Sequence, residues 1–320
     1  MSKRVSLVHG HPAARSRASR LARTHSYSVF YAMVLPAFAV LFAFSYIPLF
    51  GIIVAFKDYN YRDGIWGSPW SGMKNFQFLF RSGKLGLLIN NTLLYNIIFI
   101  IMGMVFAVLL AILVSEVRSK WFKKIAQSAT FLPNFMSWVI ISTIFYNMVH
   151  PRLGVINTLM KALGEAPVDV YTKTGIWYWL LPVLRIWKTA GFGSIIYFAA
   201  IMGIDQECYE SAKLDGANVF QEIWHITLPM LKPTIVIVTL LNLGGILRGD
   251  FDMFYQIIGN NGLLFKSTDI IDTYVFRTLM RTNDIGMSSA AGFFQSLFCF
   301  VFILIVNLLV KRIEPDYALF

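Results

Sequence analysis

Along this chain the hydropathy rises into six long apolar runs, over residues 30–56, 91–114, 129–149, 177–204, 235–247 and 287–310. Several of them reach the roughly 20 residues that cross a hydrocarbon core of about 30 Å. Backbone groups in lipid have no water to bond, so each run is predicted to be a helix. The fifth run falls short of a full span, and Gly244 and Gly245 leave its end open to bending or unwinding. Pro36 and Pro48 in the first run and Pro133 near the start of the third predict kinks or entry turns, because proline donates no backbone hydrogen bond. The pattern predicts an all-α polytopic membrane protein with six transmembrane helices.

Between the fourth and fifth runs the chain turns polar. Five of its 17 acidic residues fall between Asp205 and Glu222. Such a stretch, flanked by spans, is predicted to be a folded loop at the water interface. Gln206 to Leu214 can form a short helix that Asp215 and Gly216 end, residues 217–226 can form a second, and Pro229 starts the return to the membrane. In a knob of this kind Ala212 permits close approach, and the Glu210 carboxylate can pair with a partner's arginine. An amphipathic hairpin with no partner has the same pattern.

Composition agrees: 57% of the 320 residues are hydrophobic and 14% charged, where a soluble domain has about a quarter charged. Cys208 and Cys299 lie far apart, so neither a disulfide framework nor a CxxC metal pair is available. The net charge of +11 forms no continuous stripe and does not point to nucleic acid. Lys3, Arg4, Arg15, Arg17, Arg20 and Arg23 stand in a first segment without acids, read as an uncleaved cytoplasmic tail, residues 1–28, before a membrane domain over 29–320. Six spans put both termini on one side; inner segments then hold fourteen Lys and Arg and outer segments twelve. Orientation therefore rests on the tail and on residues 118–124, beside span ends. The basic outer face could attract an acidic binding protein or an anionic sugar. Tyr59, Tyr61, Trp66, Trp70, Phe76, Phe78 and Phe80 make the first outer loop either an interfacial belt or a ligand platform.

Catalytic motifs are missing from the sequence. No G-x-x-x-x-G-K-[ST] segment cradles a phosphate, so the chain is not expected to hydrolyse ATP. His9, His11, His25, His150 and His225 show no metal-ligand spacing, and no G-x-S-x-G elbow occurs.

Glu210, Ser211, Ala212 and Gly216, followed by Ile226, Leu228 and Pro229, resemble the EAA loop of binding-protein-dependent ABC importers, with Ser211 where that family usually has an alanine. The resemblance continues through residues 46–59 and 70–76, Asn91-Thr92, residues 132–138, Gly154 to Asn157, Trp187-Lys188, residues 270–277 and Lys311-Arg312. It is closest to carbohydrate-uptake permeases of the oligosaccharide and polysaccharide branch, including the alginate type. This implies a type I, maltose-permease-like fold and a role as half of a heterodimeric pore in the bacterial inner membrane, termini cytoplasmic. It implies as partners a second homologous permease, two cytosolic subunits that bind ATP and Mg, an extracytoplasmic solute-binding protein, membrane lipid and an oligosaccharide substrate. The coupling residues it implies within 205–229 are Glu207, Glu210, Ser211, Ala212, Asp215, Gly216, Ile226, Leu228 and Pro229.

Polar residues in or near spans are costly in lipid and face a partner or a wet path. Asn134, Trp138, Asn147, Arg185, Trp187, Lys188, Asn242, Arg248, Asp250 and Asp252 are candidates to line such a path or to bond between helices. Arg185 and Lys188, three apart, fall on one helix face. The reading is an oligosaccharide permease driven by partner ATPases through alternating access. A self-contained secondary transporter, coupled through Asp250 or Asp252, and a structural anchor are the alternatives.

Overall fold

The computed structural model describes residues 30–81 and 83–318. The basic tail and His9, His11 and His25 lie outside the described residues. Among those described, every regular element is a helix, and Lys57 and Trp70 form one isolated bridge.

The main helices are α1 (Phe30–Phe56), α2 (Lys74–Arg81), α3 (Leu85–Glu116), α4 (Lys120–Phe131), α5 (Trp138–Val149), α6 (Val155–Ala162), α7 (Trp177–Met202), α8 (Gln206–Leu214), α9 (Val219–Leu243), α10 (Phe251–Ile258), α11 (Ile271–Thr282) and α12 (Ile285–Ile313). Four of these, α1, α3, α9 and α12, are long and apolar enough to cross a membrane, and two bent pairs bring the number to six. The six-span expectation holds on that count.

Two spans differ most from the sequence expectation, each for a backbone reason. The third run is not one rod: Lys120–Phe135 and Trp138–Val149 meet at 95°. Pro133 withholds a donor in the short 3-10 turn Leu132–Phe135, and Ser137 restarts the chain by accepting from the Ile140 N–H at 3.3 Å. The fifth span begins at Val219 rather than at 235, because the second arm of the polar hairpin and the membrane helix are one continuous rod. Pro229 interrupts no more than a turn; the backbone adopts one π turn over Ile223–Thr227 just before it. After Leu243 the chain leaves helical geometry, as Gly244 and Gly245 suggested, and re-enters it at Phe251.

The core sits between α3 and α7. Ala107, Ala111, Tyr197, Ile201 and Leu231 pack one end, and Tyr95, Phe99, Trp138, Phe145, Trp177, Leu181 and Phe254 the other. A small residue brings a third element close: a Cβ on Gly191 would lie 2.0 Å from the Thr130 carbonyl oxygen, so α7 and the broken third span touch backbone to backbone.

Helix α1 stands apart, with 6% of its most apolar window buried. Only its last turn packs, Ala55 lying against Phe76 and Ala290 near the start of α12. The other end of α12 meets α9 beside the hairpin, where the Lys232 ammonium donates to Glu314 at 2.6 Å. The C-terminal segment thus shares an end of the molecule with the hairpin.

Candidate functional site

Where helices break inside an apolar bundle, their freed carbonyls need donors. At the break between α4 and α5, Lys188 supplies them: its buried ammonium donates to the carbonyls of Asn134 at 2.8 Å, Met136 at 2.7 Å and Pro133 at 3.4 Å. At the break between α9 and α10, Asn96 donates to the Ile246 and Arg248 carbonyls at 2.8 and 3.0 Å. Gln295 donates to the Leu247 carbonyl at 3.0 Å and to Asp272 at 3.2 Å, while the Gly249 N–H donates to the same Asp272 oxygen at 2.8 Å. Burial pushes the Asp272 carboxyl above the usual carboxylate range, against the lowering effect of these donors and of the Arg248 charge. Asn96 and Gln295 were missed by the sequence reading. Their signal was present, an amide in the middle of an apolar run.

These ties hold residues 244–250 against a polar cavity of about 370 Å³ between α3, α7 and α9. Asn96, Arg185, Thr189, Thr239, Asn242 and Arg248 line it. Arg185 forms an ion pair with Asp250, and its guanidinium lies 4.7 Å from the centre of the Phe99 ring. Arg248 is exposed and donates to Ser296 at 3.1 Å, with no carboxylate of the described residues within ion-pair distance.

Of the predicted path residues, the structure brings Arg185, Asn242, Arg248 and Asp250 together. It separates the others. Lys188 and Trp138 share a different recess of about 290 Å³ with Asp252, and the Lys188 ammonium lies 5.5 Å from the centre of the Trp138 ring. Asn134 contributes its carbonyl to Lys188. Trp187 faces an apolar groove of about 900 Å³ that includes Trp179 and Val183. Asn147 is exposed and donates to the Thr143 carbonyl at 2.9 Å. Arg185 and Lys188 do share one side of α7, yet their charged heads reach different breaks.

The polar hairpin is a built turn, bent 70° away from α7. Asp205 caps α8 by accepting from the Glu207 N–H at 3.1 Å. Asn218 and Gln221 form a reciprocal capping box at the start of α9, with bonds of 2.8 and 3.0 Å. Between Asp215 and Ala217, Gly216 adopts φ +81°, the left-handed region that favours glycine. The Tyr209 hydroxyl and Thr227 hydroxyl, 3.0 Å apart, tie the two arms. Ala212, Asp215, Gly216 and Ile226 line a recess between them of about 300 Å³, with buried Glu222 at its wall. Glu210 and Ser211 are exposed, Leu228 and Pro229 continue into the span, and Leu214, Phe220 and Trp224 stand 88%, 84% and 69% exposed.

Residues 103–315 match the family described as the binding-protein-dependent transport system inner membrane component. The chain belongs to that family. It is 35% identical over 287 residues to the polygalacturonan/rhamnogalacturonan transport system permease protein YteP of Bacillus subtilis, a match spanning 89% of this chain and 88% of that one. Protein LplB of the same organism is 31% identical over 89% of both chains. Among solved structures, a bacterial ABC transporter involved in the import of the acidic polysaccharide alginate superposes with TM-score 0.81 at 33% identity, over 92% of this chain and 99% of that one. A second structure, of the alginate ABC transporter with its alginate pentasaccharide-bound periplasmic protein, gives TM-score 0.80 at 32% identity, over 91% of this chain and 97% of that chain.

The chain is therefore a multi-pass permease subunit with the type I ABC permease fold. Asp250, one of the two carboxylates that the secondary-transporter alternative offered for coupling, is engaged with Arg185. Within the permease, Lys188 holds the 132–136 break. Lys188→Met should destabilise the purified complex by about 2–3 kcal/mol, the scale of hydrogen bonds from a charged donor. Thermal unfolding in detergent measures this, and an unchanged midpoint would remove Lys188 from that role.

Proposed function

We propose that this permease forms half of the translocation pathway of an ATP-driven importer for acidic oligosaccharides. The polar cavity carries the reading: two arginines, Arg185 and Arg248, stand among amides and hydroxyls where α3, α7 and α9 meet. A carboxylate crossing a dry constriction needs such compensation. The cargoes in the names of the similar proteins, polygalacturonan/rhamnogalacturonan and alginate, support an acidic sugar. A second homologous permease completes the pore, two cytosolic subunits hold ATP and Mg, and an extracytoplasmic binding protein delivers the cargo. The hairpin end, with both termini, faces the cytoplasm; the basic tail and residues 118–124 support that orientation.

The hairpin at 205–229 is the coupling element. Glu210 offers a carboxylate to an ATPase arginine, and Leu214, Phe220 and Trp224 offer uncovered apolar area. Because the second arm and the fifth span are one rod of 25 residues, a push on the hairpin reaches the 244–250 break without an intervening loop. Closure of the ATPases thereby moves Arg248 and Asp250 relative to Arg185, converting one access state to the other. Nucleotide drives this through its differential affinity for the two states.

Two outcomes follow from this function. Gly216→Val places a branched residue at positive φ, costing about 1–3 kcal/mol of local strain, and should reduce cargo-stimulated ATPase activity of the reconstituted complex while membrane insertion persists. Normal stimulation would remove the coupling assignment. Arg248→Gln should reduce uptake of a uronate oligomer into proteoliposomes by about tenfold more than uptake of its carboxyl-reduced counterpart, with each normalised to the amount held by the binding protein. An equal effect on both would contradict the acidic-cargo reading.

A further inference from the structure

The Arg185–Asp250 pair sits at the polar cavity, on elements of different character. Arg185 projects from the continuous helix α7, and its guanidinium lies over the ring of Phe99 of α3. Asp250 ends the unwound segment and is the N-cap of α10. Its two oxygens do different work. Oδ1 accepts from the Met253 N–H at 3.2 Å, and Oδ2 meets Arg185. Both side chains remain partly open, at 30% and 20% exposure, so the pair borders the cavity and is not sealed in the core.

We propose that this pair is an exchangeable latch that selects acidic cargo: a carboxylate of the sugar replaces Asp250 Oδ2 on the Arg185 guanidinium during passage. The inference rests on the acidic-oligosaccharide reading and names the residue pair that would enforce it.

Four observations carry the exchange. The incoming group is the same chemical species as the one it displaces, and a guanidinium accepts carboxylates in a fixed two-pronged geometry. The Phe99 ring lies beside the guanidinium, a cation–π contact that does not depend on which carboxylate the arginine holds. Asp250 is not orphaned when displaced, because its other oxygen already satisfies a helix N-terminus, where a carboxylate is stabilised. The backbone of the unwound segment also need not follow, since Asn96, Gln295 and Asp272 tie residues 246–249 through bonds that do not involve Arg185.

The internal carboxylate solves two problems at once. In the empty cavity it neutralises Arg185, which would otherwise be a partly buried charge without a counter-ion. In the loaded cavity it competes with the cargo, so the sugar is held strongly enough to enter and weakly enough to leave. A neutral sugar gains nothing from displacing Asp250 and meets a closed pair. Arg248, exposed on the same cavity, provides the neighbouring positive charge for the next carboxylate along a uronate chain.

The test uses the complete transporter in proteoliposomes with its binding protein, a uronate oligomer and its carboxyl-reduced counterpart. Asp250→Asn keeps the amide oxygen available to cap α10 and removes the competing charge. The ratio of acidic to neutral apparent KM should fall by about fivefold or more. The double exchange Arg185→Asp with Asp250→Arg restores an ion pair of opposite sense. It should assemble yet lose acidic uptake. An unchanged ratio in Asp250→Asn, or restored acidic uptake in the double exchange, would overturn the latch and leave a structural pair. A wild-type transporter that imports neither acidic oligomer nor any uronate of other length would overturn the cargo reading, and the latch with it.

Discussion

Backbone carbonyls released inside an apolar bundle must be met by donors from the protein, and this permease meets that demand at two breaks with three side chains, Lys188, Asn96 and Gln295. Each comes from a different span. An unsatisfied amide or carbonyl in such a place is expensive, so each donor fixes both its own helix and the break it serves. Without that arrangement the fifth span has no stable way to unwind beside the cavity. Arg248 and Asp250 would then lie on a continuing helix, away from Arg185.

The same constraint explains how a movement at one end of the permease reaches the other. The fifth span is continuous from the hairpin through its π turn, and the backbone is regular until Leu243. Its helical geometry ends where Gly244 and Gly245 begin the break, beside the polar cavity. In the proposed mechanism, motion at the hairpin is delivered at the place where Arg185, Arg248 and Asp250 gather. The close approach of Gly191 to Thr130 locks α7 to the broken third span, so Arg185 belongs to a packed frame, whereas Asp250 lies beyond the break that ends the fifth span.

Much of this was legible in the sequence. The apolar runs, the hairpin with its turn at Gly216, and the weak end at Gly244 and Gly245 are all local signals, carried by hydropathy, capping residues and glycine. The 95° bend was not legible from Pro133 alone, because it depends on Lys188, from a helix distant in sequence, donating to the freed carbonyls. The start of the fifth span was misplaced because hydropathy follows side chains, whereas helix continuity through Pro229 is a backbone property. Pairing Arg185 with Lys188 was right about the helix face but not about destination: positions three apart diverge by about 60° around the axis, and long side chains widen that gap. The basic outer face is also partly neutralised within the protein. Lys57 is buried and spends its ammonium on the Ile65 and Trp66 carbonyls, Lys74 pairs with Asp58 at 2.6 Å, and Arg277 with Asp269 at 2.6 Å. A residue count sees charges but not their partners.

The central claim is that acidic cargo passes through the cavity held open by these ties, and site-directed labelling tests it most directly. With Cys208 and Cys299 replaced, Asn242→Cys places a single thiol on the cavity wall. In the complete transporter a charged, membrane-impermeant thiol reagent should react there from water. Uronate oligomer delivered by the binding protein during turnover should slow the reaction about fivefold or more, in the range of ordinary site coupling. A thiol that never reacts, or reacts at the same rate with and without cargo, would contradict the account.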